Sequence, residues 1–267
     1  MIGYEIKTVK TAGFEMDCTV FGSGEKSFVI IPGISLEPVS LSAGAIAEAY
    51  GGFAEDFTVY MFDRVKSIPD EYSVEEMARD TAQAMRTLGI REAYAFGASQ
   101  GGMILECLAA RAPELIRCGV LGSTSFRSEP AGNAILADWI KMARCGDRVG
   151  LNTSVSRVLY TPEYRKRYEE IFASLSERGT AEQLRAFAVQ CEACARFDFS
   201  GELGSIRCPM LVLGAENDVV FPGREVCSEL AKRLGCEAYV YPGYCHAVYD
   251  EAPDYKDRIR DFFNKCK

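Results

Sequence analysis

The sequence predicts an α/β fold: a mostly parallel, eight-stranded sheet with helices on both faces and a helical lid inserted after the sixth strand. Three observations predict it. Apolar, β-branched runs such as 28–31 and 210–213 are short and continuous, as strands buried on both faces are. These runs alternate with amphipathic helical segments, the pattern of parallel strands joined by crossovers. The alternation lapses once, between Phe126 and about Phe199, where helical segments follow one another with no strand-like run.

Two β-rich stretches, 4–9 and 15–21, are joined by the turn signal Thr11-Ala12-Gly13. After Gly22-Ser23-Gly24, residues 27–31 read as a buried strand, 43–50 as a helix and 58–62 as the next strand. Ser73-Val74-Glu75-Glu76 is a capping box. The helix it opens puts Val74, Met77, Ala78, Thr81, Met85 and Leu88 on one face and stops at Gly89. Strand 93–96, helix 103–110 and strand 118–121 follow; strand 210–213, helix 225–234, strand 238–241 and helix 255–264 close the chain. Between these halves helices are expected at 134–143, 163–175 and 182–195, the last opened by the capping pattern Thr180-Ala181-Glu182-Gln183. Residues 1–125 and 200–267 are thus expected to form the core. Residues 126–199 would be a lid over the sheet's carboxyl edge, where α/β proteins bind ligands.

The 267 residues are about half apolar, ample for one sizeable core. A formal charge of −8 and an isoelectric point near 5.0 argue against a nucleic-acid partner, which needs a basic face. Residues 1–18 alternate polar and apolar, with no basic stretch leading into an apolar one, so no secretory signal is read there. The apolar runs are too short to span a bilayer. Eleven cysteines sit inside apolar segments (Cys107, Cys118, Cys227) as often as in loops, as reduced, core-filling cysteines do. A cytoplasmic setting is the expectation. The expected partner is a small-molecule substrate, with neither nucleic acid nor membrane; a homodimer is left open.

The chemistry is carried by Gly97-Ala98-Ser99-Gln100-Gly101, set between a strand and a helix. In isolation such a string is a glycine-rich turn whose serine caps the helix. Driving a strand straight into a helix, however, strains the central residue and projects its side chain from the sheet edge. Ser99 is therefore the candidate nucleophile. The N–H of Gln100, at the helix N-terminus, points where an oxyanion would form. A serine needs a base, and the chain holds one histidine, His246, in the loop after the last strand and just before Asp250-Glu251-Ala252-Pro253, which is expected to start the final helix. Its imidazole is neutral and basic at cellular pH. The third member must be an acid at another strand end. Asp218, after strand 210–213, is the candidate, and Glu216 its nearest competitor. Strand 118–121 runs into Gly122-Ser123-Thr124-Ser125, which offers no acid. A second oxyanion donor is expected from the N–H of Ile34 in Ile31-Pro32-Gly33-Ile34, since Pro32 has none.

With these residues placed, the chain from Phe28 onward resembles the α/β-hydrolase superfamily in its compact, lidded form. The resemblance rests on Gly33, on 97–101, on Asp218 with Pro222, and on His246 with Glu251-Ala252-Pro253; Asp63-Arg64 also looks like the family's Asp-Arg turn. It implies a catalytic triad of Ser99, Asp218 and His246 that cleaves an ester, lactone or thioester through an acyl-enzyme, without metal or organic cofactor. Carbon–carbon hydrolases and lyases use the same triad, and a ligand receptor can retain the fold. Members with an aspartate nucleophile, such as haloalkane dehalogenases and epoxide hydrolases, are disfavoured by Ser99. The chain departs from the family's pattern in having Pro32-Gly33 for His-Gly and Cys245-His246 for Gly-His. Its 197–209 segment is similar to enol-lactonases.

Other signals have plainer readings. Cys191-Glu192-Ala193-Cys194 has zinc-knuckle spacing but no second ligand pair, and reads as two packing cysteines on a helix. Cys245 cannot pair with its neighbour His246, because adjacent side chains diverge. Arg157, Arg165, Arg167, Arg178, Arg185 and Arg196 read as solvated helix faces, unless one turns inward to an anionic substrate group. Trp139 is expected to pack the lid, and Trp139 and Val220 are the candidate pocket residues.

Overall fold

The computed structural model describes residues 2–266. Eight strands form one sheet in the order β1-β2-β4-β3-β5-β6-β7-β8. They are β1 (Tyr4–Lys10), β2 (Glu15–Phe21), β3 (Lys26–Ile31), β4 (Phe57–Val65), β5 (Ala93–Ala98), β6 (Ile116–Gly122), β7 (Met210–Ala215) and β8 (Glu237–Tyr241). β1 pairs with β2, and β2 with β4, antiparallel; every other pair is parallel.

Parallel strands need crossovers, and these cover both faces. β3 shows how sequence sorts them. Val29 and Ile31 join the buried cluster under α2 (Val74–Thr87), α3 (Gln100–Arg111) and α9 (Gly223–Leu234). Phe28 and Ile30 point the other way, into the cluster under α1 (Ala43–Ala49) and α11 (Tyr255–Lys265). There the Phe28 ring centroid lies 4.8 Å from that of Phe53 and 5.1 Å from that of Phe263. The capping box of α2 forms as read: the Glu76 N–H donates to Ser73 Oγ, and the Ser73 N–H to Glu76 Oε2. Its expected apolar face is buried, with Leu88 half-buried at the C-cap.

Five helices stand between β6 and β7: α4 (Pro130–Cys145), α5 (Arg148–Leu159), α6 (Pro162–Arg167), α7 (Glu169–Leu175) and α8 (Ala181–Arg196). The chain leaves the core and returns to it at one place. There the Phe199 N–H donates to Phe126 O and the Ser128 N–H to Phe197 O, both at 2.8 Å.

Three expectations are corrected. The helix α5 was not foreseen, because Gly150 and the β-branched Val149, Thr153, Val155 and Val158 weaken its helical signal. It is held by the Asp147 carboxylate, which accepts from the Gly150 N–H at 2.9 Å, and by burial of Leu151. The single helix expected over 163–175 is two, broken at Tyr168 (φ −112°, ψ 28°). The segment Asp250-Glu251-Ala252-Pro253 does not start the last helix. A short helix, α10 (Val248–Glu251), ends ahead of Pro253, whose ring forces Ala252 into extended backbone (ψ 123°). Among the described residues, no helix is long and apolar enough to cross a membrane.

Candidate active site

β5 passes into α3 with a single residue between them, Ser99, at φ 54° and ψ −121°. Positive φ is uncommon for a residue with a side chain, so the surroundings must hold it. The Ser99 N–H donates to Gly122 O at 2.8 Å, and Ser99 O accepts from the Gly102 N–H at 2.8 Å and from Thr124 Oγ1 at 2.7 Å. The flanking glycines are steric necessities. A Cβ on Gly97 would lie 2.3 Å from Gly101 O, and one on Gly101 would lie 1.9 Å from Ile31 O.

The acid and base come from the next strands along the edge. Asp218 follows β7; its Oδ1 accepts the N–H groups of Val220 at 2.8 Å and Phe221 at 3.0 Å. Its Oδ2 lies 2.8 Å from His246 Nδ1. Both side chains are shielded from water, at 5 % and 2 % exposure for Asp218 and His246. With a carboxylate on Nδ1, the neutral ring carries its proton there and leaves the Nε2 lone pair free to act as a base. Glu216, the competing acid, is exposed and instead accepts the Gly243 N–H at 3.1 Å.

Ser99 and His246 line one cavity of about 40 Å³. Its walls include Ile34 and Val220 from the core, Trp139 from α4, Val155 and Leu159 from α5, and Phe187 from α8. The structure thus brings the expected nucleophile, base and pocket residues together, with Asp218 behind the imidazole. Neither candidate oxyanion N–H, of Ile34 or of Gln100, donates to a protein acceptor among the described residues. Trp139 both packs the insertion, its ring 6.2 Å from that of Phe187, and faces the cavity. Among the described residues no arginine, lysine or carboxylate lines the cavity, so none of the arginines 157 to 196 turns into it.

Cys194 does line it, but burial pushes its thiol up to about 12, which leaves it protonated and unreactive. Burial raises the Cys245 thiol too. Among the described residues, no group of three or more His, Cys, Asp or Glu is placed to hold a metal ion. Sequence reasoning assigned no role to the side chains of Arg64, Gln100 and Gln190, which hydrogen-bond beneath the site. The one available signal was the Asp63-Arg64 pair at the end of β4.

A sheet whose fifth strand breaks into a helix at a strained serine, beside an aspartate-bound histidine, defines the α/β-hydrolase class. The chain belongs to the alpha/beta hydrolase fold family, whose model matches residues 52–253. It is 24% identical over 217 residues to RutD of Stutzerimonas stutzeri (strain A1501), whose name assigns it to carbamate hydrolysis; the match covers 74% of this chain and 79% of that one. The enol-lactonase from Burkholderia xenovorans LB400 superposes with a TM-score of 0.84 at 22% identity, over 97% of this chain and 100% of its own. A thermophilic esterase from Thermogutta terrifontis does so with a TM-score of 0.80 at 18% identity, over 99% of each chain.

Proposed function

We propose that this chain is a serine hydrolase cleaving small, neutral ester-type substrates, whether ester, lactone or thioester, through an acyl-enzyme on Ser99. The observation that carries this reading is the His246 ring, fixed 2.8 Å from a buried Asp218 carboxylate and sharing a cavity with Ser99. In the first half-reaction His246 Nε2 takes the Ser99 proton while Oγ attacks the acyl carbonyl. The N–H groups of Ile34 and Gln100 receive the oxyanion, and Asp218 stabilises the imidazolium. The imidazolium then protonates the departing oxygen or sulfur. In the second half, water gives a proton to His246 and attacks the acyl carbon, releasing the acid and restoring Ser99.

The cavity's apolar lining, with no charged partner for a carboxylate, favours a neutral acyl group. Residues 126–199 wall this small cavity from above as a cap, and its less buried helices α5 to α7 shift to admit the substrate. The activities named for the relatives share a carbonyl bearing a heteroatom leaving group, which agrees with this chemistry.

The test is fluorophosphonate labelling of wild type and Ser99→Ala, read by intact mass and followed by a screen of short-chain esters, lactones and thioesters. One adduct is expected, in wild type alone, with ester turnover falling by about 10⁴-fold or more in the variant. A folded wild type that takes no label and turns over nothing, yet is stabilised by ligands, would instead be a receptor that kept the fold.

A further inference from the structure

The geometry points to Arg64 as a positioning residue for the oxyanion hole: one buried guanidinium tying together the two loops that carry the Ile34 and Gln100 N–H groups. This role rests on the acyl-transfer chemistry proposed for Ser99 and deepens it. Arg64 stands at the carboxyl end of β4, beside β3, whose end runs into Pro32-Gly33-Ile34. Its Nη2 donates to Pro32 O at 2.8 Å and to Gln100 Oε1 at 2.9 Å, and its Nε donates to the same Oε1 at 3.2 Å. Gln100 is fully buried, and its Nε2 donates onward to Gln190 O at 2.9 Å and Cys194 Sγ at 3.2 Å. Gln190 Nε2 in turn donates to Ser35 O at 3.2 Å. The bonds close a ring: from the 32–35 loop to Arg64, to the residue after the nucleophile, to α8, and back to the same loop.

An arginine buried only for stability would be expected to meet a carboxylate. Among the described residues Arg64 has no carboxylate within ion-pair distance. Its neighbour Asp63 is turned elsewhere, accepting the Val39 N–H at 2.5 Å and the Ser40 N–H at 3.3 Å. The guanidinium therefore sits nearly buried, at 9 % exposure, with its hydrogen bonds to neutral oxygens and no carboxylate among the described residues in direct contact with it. Such a placement suits the transition state. It fixes the backbone on both sides of the hole, and a positive charge in low-dielectric surroundings favours the negative charge that develops on the substrate oxygen. Neither effect acts on a neutral bound ester, so the loss on removing Arg64 belongs to kcat and not to KM.

The test compares wild type with Arg64→Met and Arg64→Lys, using stopped-flow acylation by p-nitrophenyl butyrate. Arg64→Met is expected to slow acylation by about 10²–10³-fold, with KM within about three-fold of wild type. Arg64→Lys keeps the charge but not the planar fork, and is expected to lose about ten-fold. Folding is checked by circular dichroism; where Arg64→Met fails to fold, Arg64→Lys decides. A folded variant acylating at the wild-type rate, or a loss confined to KM, overturns the tether. A wild type that takes no fluorophosphonate and hydrolyses no ester overturns the triad reading instead, and the tether with it. Active wild type with undiminished Arg64 variants sinks the tether alone.

Discussion

Glu106 lies on α3, the helix that Ser99 opens, and is fully buried with neither carboxyl oxygen hydrogen-bonded among the described residues. Burial pushes its carboxyl well above the ordinary 4.5. The unfolded carboxyl ionises near 4.5 and the folded one only far higher, so between those values the unfolded chain holds fewer protons. Stability therefore falls as pH rises through that window. Glu106→Gln removes the ionisation and nearly keeps the shape. Thermal unfolding should show the variant more stable than wild type at pH 8, by about 2 °C or more, and unchanged near pH 4. An equal difference at both pH values would mean the effect is packing and not titration. At this scale the candidate catalytic residues were legible and their support was not. Ser99, His246 and Asp218 could be read because the chemistry dictates residue type, and the turn dictates the glycines around Ser99. Arg64, Gln190 and Glu106 could not, because burial and partners depend on contacts that local sequence does not encode. Gln100, for one, meets residues 36 positions before it and 90 positions after it.

Among the elements of the insertion, burial divides two groups. α8 buries eight residues and is bonded through Gln190 to the 32–35 loop, whereas α5 buries only Leu151 and α6 and α7 bury none. α4 packs on α8 through Trp139 and Phe187. α4 and α8 thus form the more deeply packed wall of the insertion, and α5 to α7 the less buried part. The latter are tied down at one end: the Thr161 N–H and Oγ1 donate to the Glu251 carboxylate at 3.0 and 2.5 Å, and the Ala247 N–H donates to Leu159 O at 2.8 Å. Local stability follows burial, so amide exchange in α6 and α7 should run at least about ten-fold faster than in α8. Uniform exchange across the insertion would mean that it moves as one body. The same division explains what sequence could announce. α2 and α8 carry their own start signals, Ser73 and Thr180, and amphipathic faces. α5 has weak propensity and depends on a cap and one buried leucine, so its pattern read as no element at all.

Taken as a whole, the molecule is acidic outside and apolar at its centre. A net charge of −8 sets a field that slows the approach of anions, and among the described residues no lysine or arginine lines the cavity to receive one. The basic side chains Arg157, Arg165 and Lys166 line a separate cavity of about 470 Å³ formed by α5, α6 and α7. Two substrates of matched length separate these effects: p-nitrophenyl butyrate, and mono-p-nitrophenyl succinate, which ends in a carboxylate. Stripping water from that carboxylate without a partner costs several kcal/mol, so kcat/KM for the succinate should be at least about 100-fold lower. Added salt screens only the long-range repulsion. It should narrow the gap by a small factor and leave most of it, because desolvation inside the cavity is not screened. A gap that closes with salt would place the discrimination in the surface field. A preference for the succinate would show that an arginine of α5 or α6 swings into the cavity when the cap moves, and the neutral substrate class would then be wrong.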